Sequence, residues 1–198
     1  MSEQNNSTSR IITKEQYDYH YNSYYKPYHH KLREVRARLL KANMTYTNSI
    51  FSMYKILKRE EAWLRNSVLL HDAYFECLKK NEGNPSPQLF NMLIRDYGSM
   101  EEWITEFSVL ARYSEGWAIF GFDLSNGNLI NCRCEDNYEG MWMVHPLLTL
   151  DLSEHAYQLD YGTKKGSYIK DFLENIYWPY VNGQLEIAEK TFKVRSDN

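Results

Sequence analysis

The chain has 198 residues, with 23 Lys and Arg against 26 Asp and Glu, so its net charge is −3. This length gives one domain or two small ones with a core large enough to fold without disulfides or a structural metal. The weakly acidic balance argues against nucleic-acid binding, and the lack of a long apolar run argues against a membrane span. No export signal is recognisable, so we expect a cytoplasmic protein.

The N-terminal part of the chain predicts a helical hairpin. Residues 1–10 are polar and predict a disordered tail. A first helix is predicted from Thr13 to about Ala42 and a second over about 50–80, where apolar residues recur at steps of three and four. Two long helices with a short connection predict an antiparallel hairpin domain over residues 11–82.

The rest of the chain, residues 83–198, predicts a second domain of mixed structure. Residues 81–87 are dense in turn formers, and Pro87 suits the first turn of a helix that ends near Gly98. Ser99 followed by Glu102 is a capping-box pattern that predicts a further helix.

Beyond Gly116 the apolar period changes from helical spacing to two. Residues 117–122 and 129–134 flank a turn and predict a β-hairpin, and residues 147–150 predict a third short strand. Helical stretches follow to Gly162 and from about Ser167 onward. The fold class predicted is therefore α+β, with a small antiparallel sheet of about three strands among helices.

Three histidines, His20, His71 and His155, lie in segments that should be packed in the core. Asp151 precedes His155 by four residues just after the third strand, so a helical turn there would direct both side chains to one point. Imidazoles and a carboxylate are ligands that iron or manganese accepts. A histidine on an apolar stripe is also compatible with a hydrogen-bonded core residue, and spacing alone leaves both interpretations open.

Several motifs together carry a family resemblance. Residues 147–161 resemble the signature of iron/manganese superoxide dismutases, a strand followed by D-x-W-E-H-A-Y. Residues 19–28 are similar to the family's first helix, E-Y-H-Y with a later Tyr, and residues 71–78 are similar to its H-T-F-Y-W-x-C-L motif. Residues 96–102 are similar to its D-F-G-S-x-E-E motif and residues 116–118 to its G-W-A-W motif. The resemblance runs from Ile11 to Gln184.

The resemblance implies the iron/manganese superoxide dismutase fold and one iron or manganese ion per chain. Its ligands would be three imidazoles and a carboxylate, with bound solvent as fifth ligand; these residues are His20, His71, Asp151 and His155. It also implies superoxide as substrate, a role for Tyr28 at the entrance to the site, and a homodimer in which Glu154 bonds to the partner's ligand histidine. The activity implied is antioxidant.

Around the ligands the sequence departs from the family pattern. The positions at which the iron and manganese branches carry a solvent-binding Gln correspond to Ser67 and, in our alignment, to Glu135. Ser153 replaces a Trp, and Tyr24 replaces a His near the entrance. We therefore expect Glu135 to accept a hydrogen bond from the bound solvent, to donate one if protonated, or to ligate the metal itself. We assign catalytic roles to Tyr28, Glu135 and Tyr24.

Three functions remain open on the sequence. The first is a working iron- or manganese-dependent superoxide dismutase, which the complete ligand set favours. The second is a metalloprotein of the same fold with altered redox chemistry and little dismutase activity, which the substitutions around the ligands favour. The third is a structural scaffold of that fold. The choice between iron and manganese is open, because both marker positions are replaced.

Overall fold

The computed structural model describes residues 11–43, 52–80 and 82–196. The predicted disordered tail, residues 1–10, lies outside the described residues, as do residues 50 and 51 of the second predicted helix. None of the described helices is long and apolar enough to cross a membrane.

The first predicted helix is divided into three pieces. Helix α1 spans Lys14–His20, a π-helical turn spans Tyr21–Tyr25, and helix α2 spans Lys26–Leu39. The Thr13 hydroxyl caps α1 by accepting a hydrogen bond from the Gln16 amide. Sequence periodicity does not resolve the π-helical turn. In such a turn each hydrogen bond spans one residue more than in an α-helix, and the segment remains helical.

Helix α3, Met53–Cys77, packs antiparallel to α2 as predicted. Arg36 of α2 contacts Glu61 of α3, whereas Arg38, which comes later in α2, contacts Met53, which comes earlier in α3. The two helices therefore run in opposite directions. The apolar faces of the hairpin form their own core cluster, which contains Leu32, Val35, Leu57, Leu64 and Val68. The hairpin thus places α3 beside α1 and the π-helical turn.

Two capped helices follow the hairpin. Helix α4 spans Pro87–Tyr97 and helix α5 spans Met100–Tyr113. The Ser99 side chain accepts a hydrogen bond of 3.0 Å from the Glu102 amide, which confirms the predicted start of α5.

The sheet has three antiparallel strands in the order β2-β1-β3. They are β1 at Trp117–Asp123, β2 at Leu129–Cys134 and β3 at Val144–Asp151. Trp117, the first residue of the central strand, pairs with Cys134 on one side and Asp151 on the other. The end of β3 is therefore fixed beside the start of β1.

Three further helices complete the fold: α6 at Glu154–Tyr161, α7 at Lys165–Glu174 and α8 at Trp178–Ser196. The sequence predicted one last helix from about Ser167, but the structure has two. Pro179 explains the break, because its ring would clash with the carbonyl of Asn175 in a continuous helix. The main core lies between the sheet and helices α3 to α8, with fully buried side chains such as Trp103, Phe107, Phe120 and Phe172.

Candidate metal centre

Four elements bring the predicted ligand residues to one point. His20 is the last residue of α1, His71 lies in α3, Asp151 ends β3, and His155 lies in the first turn of α6. One ligand atom from each lies within 4.8 Å of every other. The hairpin thus supplies two of the four side chains and the C-terminal region supplies the other two.

The three imidazoles surround one carboxylate oxygen. Asp151 Oδ2 lies 3.3 Å from His20 Nε2 and 3.6 Å from both His71 Nε2 and His155 Nε2. All four of these atoms are buried and none has a hydrogen-bond partner within the described residues. Buried polar atoms without partners are costly. A cation coordinated by all four would remove that cost, and this donor set suits iron or manganese.

Hydrogen bonds outside the centre orient two of these side chains. His71 Nδ1 donates to the Ser67 carbonyl at 2.6 Å, which leaves the Nε2 lone pair directed at the centre. Asp151 Oδ1 accepts from the Ser153 amide at 2.9 Å, so Oδ2 is left for the centre. The buried Tyr168 hydroxyl donates to the Asp151 carbonyl at 3.0 Å and fixes the end of the strand.

The surroundings of His20, His71 and Asp151 hold these three side chains in the protonation states that a metal requires. Burial lowers the pKa of His71 to about 4 and also lowers the pKa of His20, so both imidazoles are neutral at neutral pH. Burial disfavours the charge on Asp151, but the imidazoles of His155 and His20 beside it hold its pKa well below the usual range. The Asp151 carboxylate is therefore charged, and the imidazoles of His20 and His71 are neutral.

Gln16 is a buried residue that the sequence did not identify. Its Nε2 donates to the His155 carbonyl at 2.7 Å, and its Oε1 accepts from the Leu159 amide at 2.9 Å. Because Gln16 and His20 are one turn apart on α1, these bonds fix His20 relative to His155. The available signal in the sequence was that Gln16 is a polar residue on a helix face that should be packed.

The two predicted tyrosines border the centre. The Tyr28 ring lies edge-to-face with His71 at 5.4 Å and with Trp63 at 5.3 Å. Burial and the nearby Asp151 charge raise the pKa of Tyr28 to about 12, so its phenol stays protonated. The Tyr24 ring stacks on His155 with centroids 3.9 Å apart, and its hydroxyl lies 3.3 Å from that of Tyr19.

The structure corrects the expectation for Glu135. Its Oε2 accepts a hydrogen bond from the Glu115 amide and its Oε1 accepts one from Arg133, both at 2.8 Å. Both carboxylate oxygens are thus engaged by residues outside the ligand cluster. Glu135 follows directly after β2, whose edge position directs it to these partners.

Asn137, two residues after Glu135, lies beside Ser67 and Trp117. Its Nδ2 donates to the buried Ser67 Oγ at 2.6 Å, and its Oδ1 accepts from Trp117 Nε1 at 2.8 Å. The Trp117 ring in turn packs edge-to-face on His71 at 5.0 Å. Asn137 and the predicted Ser67 therefore meet beside His71. The signal that could have found Asn137 was its amide group, the nearest chemical equivalent of the glutamine that the family pattern carries.

Comparison with known proteins gives consistent matches. The family described as "Iron/manganese superoxide dismutases, C-terminal domain" matches residues 85–184. A protein named superoxide dismutase [Fe] from Aquifex pyrophilus is 34% identical over 191 residues, with 94% of this chain and 90% of the relative covered. One of the same name from Cupriavidus metallidurans is 33% identical over 80% of this chain and 81% of the relative. A superoxide dismutase [Mn] 1 from Halobacterium salinarum is 33% identical over 63% of this chain and 64% of the relative.

Proposed function

The chain belongs to the iron/manganese superoxide dismutase family, and from this premise we propose that it converts superoxide to dioxygen and hydrogen peroxide at a mononuclear metal site. One iron or manganese ion per chain would be held by three imidazoles and one carboxylate. These ligands are His20, His71, Asp151 and His155.

The observation that carries the proposal is the inward orientation of four buried ligand atoms that lack hydrogen-bond partners in the described part of the chain. An imidazole kept merely for core packing would find a partner for each buried nitrogen. Here the outer atoms of His71 and Asp151 are bonded to the protein, whereas their inner atoms are left for a cation. This division of roles is typical of metal ligands.

When bound, the ion supplies one-electron chemistry by alternating between +3 and +2, oxidising one superoxide and reducing the next. The Asp151 carboxylate offsets part of the positive charge and limits how strongly the site attracts anions. Tyr28 keeps a phenolic proton beside His71 and can donate a hydrogen bond to an anion that enters. The Tyr24 ring covers His155 and restricts access from that side.

We assign Asn137, in place of Glu135, as the residue that orients solvent at the site. One amide proton is used by Ser67, and the amide nitrogen carries a second. The Ser67 hydroxyl donates to the Trp63 carbonyl at 2.8 Å, so its own proton is already engaged. Of this pair, Asn137 is therefore the available donor.

The replacement of the family's glutamine by the Asn137–Ser67 pair favours one alternative function. Hydrogen bonds to metal-bound solvent set the redox potential, and an altered donor could leave a metal site with little dismutase activity. A protein of this kind would bind the same metal and transfer single electrons in another reaction. The intact ligand set speaks against a purely structural scaffold.

Metal binding tests the ligand assignment directly. We expect His155→Ala to lose stoichiometric iron or manganese, because it removes one of four donors from a centre built for all of them. The control is His30→Ala, since His30 is an exposed histidine on α2 outside the centre. Metal content is measured by elemental analysis, and circular dichroism checks folding. Full metal occupancy in folded His155→Ala protein would exclude this site.

A further inference from the structure

Tyrosine rings form a continuous group next to the candidate metal centre. The π-helical turn places two consecutive tyrosines against two different histidines of the centre, Tyr24 against His155 and Tyr25 beside His71. The rings of Tyr25 and His71 are 6.0 Å apart and inclined by 25°. π-Helical turns frequently occur at functional sites. Tyr25 is therefore placed for electron exchange with a ligand of the centre.

Tyr25 differs from its neighbours in having a base for its phenolic proton. Its hydroxyl donates a hydrogen bond to the Asp72 carboxylate. The Asp72 side chain is 45% exposed, and His29 Nε2 lies 3.8 Å from the same carboxylate oxygen. Loss of an electron makes a phenol strongly acidic, so a hydrogen-bonded carboxylate lowers the cost of oxidising it. The Tyr24 hydroxyl, in contrast, lies against another weakly acidic phenol, that of Tyr19.

The surroundings of Tyr25 favour oxidation at that ring over the neighbouring ring of Tyr21. The two ring centroids lie 5.0 Å apart, but the Lys26 ammonium lies 5.2 Å from the Tyr21 ring centroid. A cation over a ring opposes removal of an electron from it. Phe75 fills the space between Tyr25 and Tyr17, and its ring is much harder to oxidise than a phenol.

We propose that Tyr25 and Asp72 form a redox-active pair, in which Tyr25 is the residue oxidised when hydrogen peroxide reacts at the metal site. The inference rests on the metal site proposed above, whose product is hydrogen peroxide. It adds a function that dismutation does not need, namely a defined tyrosine that receives the oxidising equivalent in place of the ligand histidines.

The reaction balances with one peroxide and one tyrosine. Hydrogen peroxide takes up two electrons and two protons, its O–O bond breaks, and two waters form. One electron comes from the ion, which passes from +2 to +3, and the other comes from Tyr25. The phenolic proton of Tyr25 moves to the Asp72 carboxylate, and Tyr25 becomes a neutral phenoxyl radical. Solvent supplies the two protons consumed in forming water.

Radical detection tests the pair. The full chain is loaded with ferrous iron without oxygen, mixed with hydrogen peroxide, frozen and examined by electron paramagnetic resonance. We expect a tyrosyl signal that changes shape when the protein carries ring-deuterated tyrosine. Tyr25→Phe should lose most of this signal per bound iron. Tyr113→Phe is the control, because Tyr113 is 79% exposed at the end of α5.

A second variant separates the chemistry from folding. Asp72→Asn leaves an acceptor oxygen for the phenol but removes the base, so the radical yield per bound iron should fall although iron content is retained. An undiminished signal in iron-loaded Tyr25→Phe, or in Asp72→Asn, would overturn the proposal. Parent protein that dismutates superoxide but gives no tyrosyl signal would overturn this inference alone. Parent protein that binds manganese but no iron would overturn this inference alone, and parent protein that binds neither metal would overturn the proposed metal site as well.

Discussion

Asp151 uses its two carboxylate oxygens for different purposes, and this division defines the centre at the scale of single residues. Oδ1 accepts a backbone hydrogen bond from Ser153, whereas Oδ2 faces three imidazole nitrogens. The small Ser153 side chain stands where the family pattern has a Trp. The orientation of the carboxylate therefore depends on the backbone and not on that side chain.

The different hydrogen bonds of Asn137 and Glu135 predict different effects of their substitution on the reduction potential of the metal. A donor to metal-bound hydroxide stabilises the oxidised state, and a hydrogen bond to a charged group is worth roughly 1.5–3 kcal/mol. We therefore expect Asn137→Ala to raise the reduction potential of the metal, whereas Glu135→Gln leaves it nearly unchanged. Redox titration of the metal-loaded proteins measures both. A larger shift in Glu135→Gln than in Asn137→Ala would contradict the assignment.

The convergence of His20, His71, Asp151 and His155 was predictable from the sequence because each lies in a distinctive motif on a regular element. Asn137 was not, because it lies in the irregular segment after β2. Its position depends on the path of the chain and not on a repeating period. The sequence pattern places Glu135 at the position of the family's glutamine. The hydrogen bonds of Asn137 with Ser67 and Trp117 instead identify Asn137 as the residue beside His71.

At the scale of elements, the contact between α1 and α6 matters most, because it sets two ligands relative to each other. Gln16 bonds to the carbonyl of His155 and the amide of Leu159, and its side chain is fully buried.

The strands and most helices were predictable from apolar periodicity and turn residues. The π-helical turn and the break before α8 were not, because one is a local change of hydrogen bonding and the other is imposed by Pro179.

We expect Gln16→Ala to destabilise the protein by about 1–3 kcal/mol and to weaken metal binding, because it removes both hydrogen bonds between the buried Gln16 side chain and α6. Gln88→Ala is the control, since exposed Gln88 bonds only the Glu189 side chain in the described structure. Chemical denaturation and metal titration measure the two effects. Equal metal affinity in parent and Gln16→Ala protein would show that this contact does not position the ligands.

At the scale of the whole molecule, the centre joins the hairpin to the C-terminal region and lies close to the surface at His155. The His155 side chain is 20% exposed, and the adjacent Glu154 is exposed in the single chain. A second copy that covers this surface would complete the surroundings of His155. The family resemblance implies this homodimer with Glu154 at its interface, and we propose it for this chain.

Glu154→Ala should therefore shift the protein from dimer to monomer and lower its metal content, because an interface hydrogen bond to the ligand histidine is lost. Glu60→Ala, at an exposed position on α3, is the matched control. Analytical ultracentrifugation gives the oligomeric state. A parent protein that is monomeric, or a Glu154→Ala variant that remains fully dimeric, would contradict the proposed interface.

The most direct test of the account is the rate of superoxide dismutation per bound metal ion, measured on full-length protein loaded separately with iron and with manganese. The account predicts a fast rate with one of these metals and its loss in His155→Ala. Protein that binds either metal stoichiometrically but does not accelerate dismutation would contradict it. That result would mean that the ligands serve another redox reaction, with the Asn137–Ser67 pair the first place to examine.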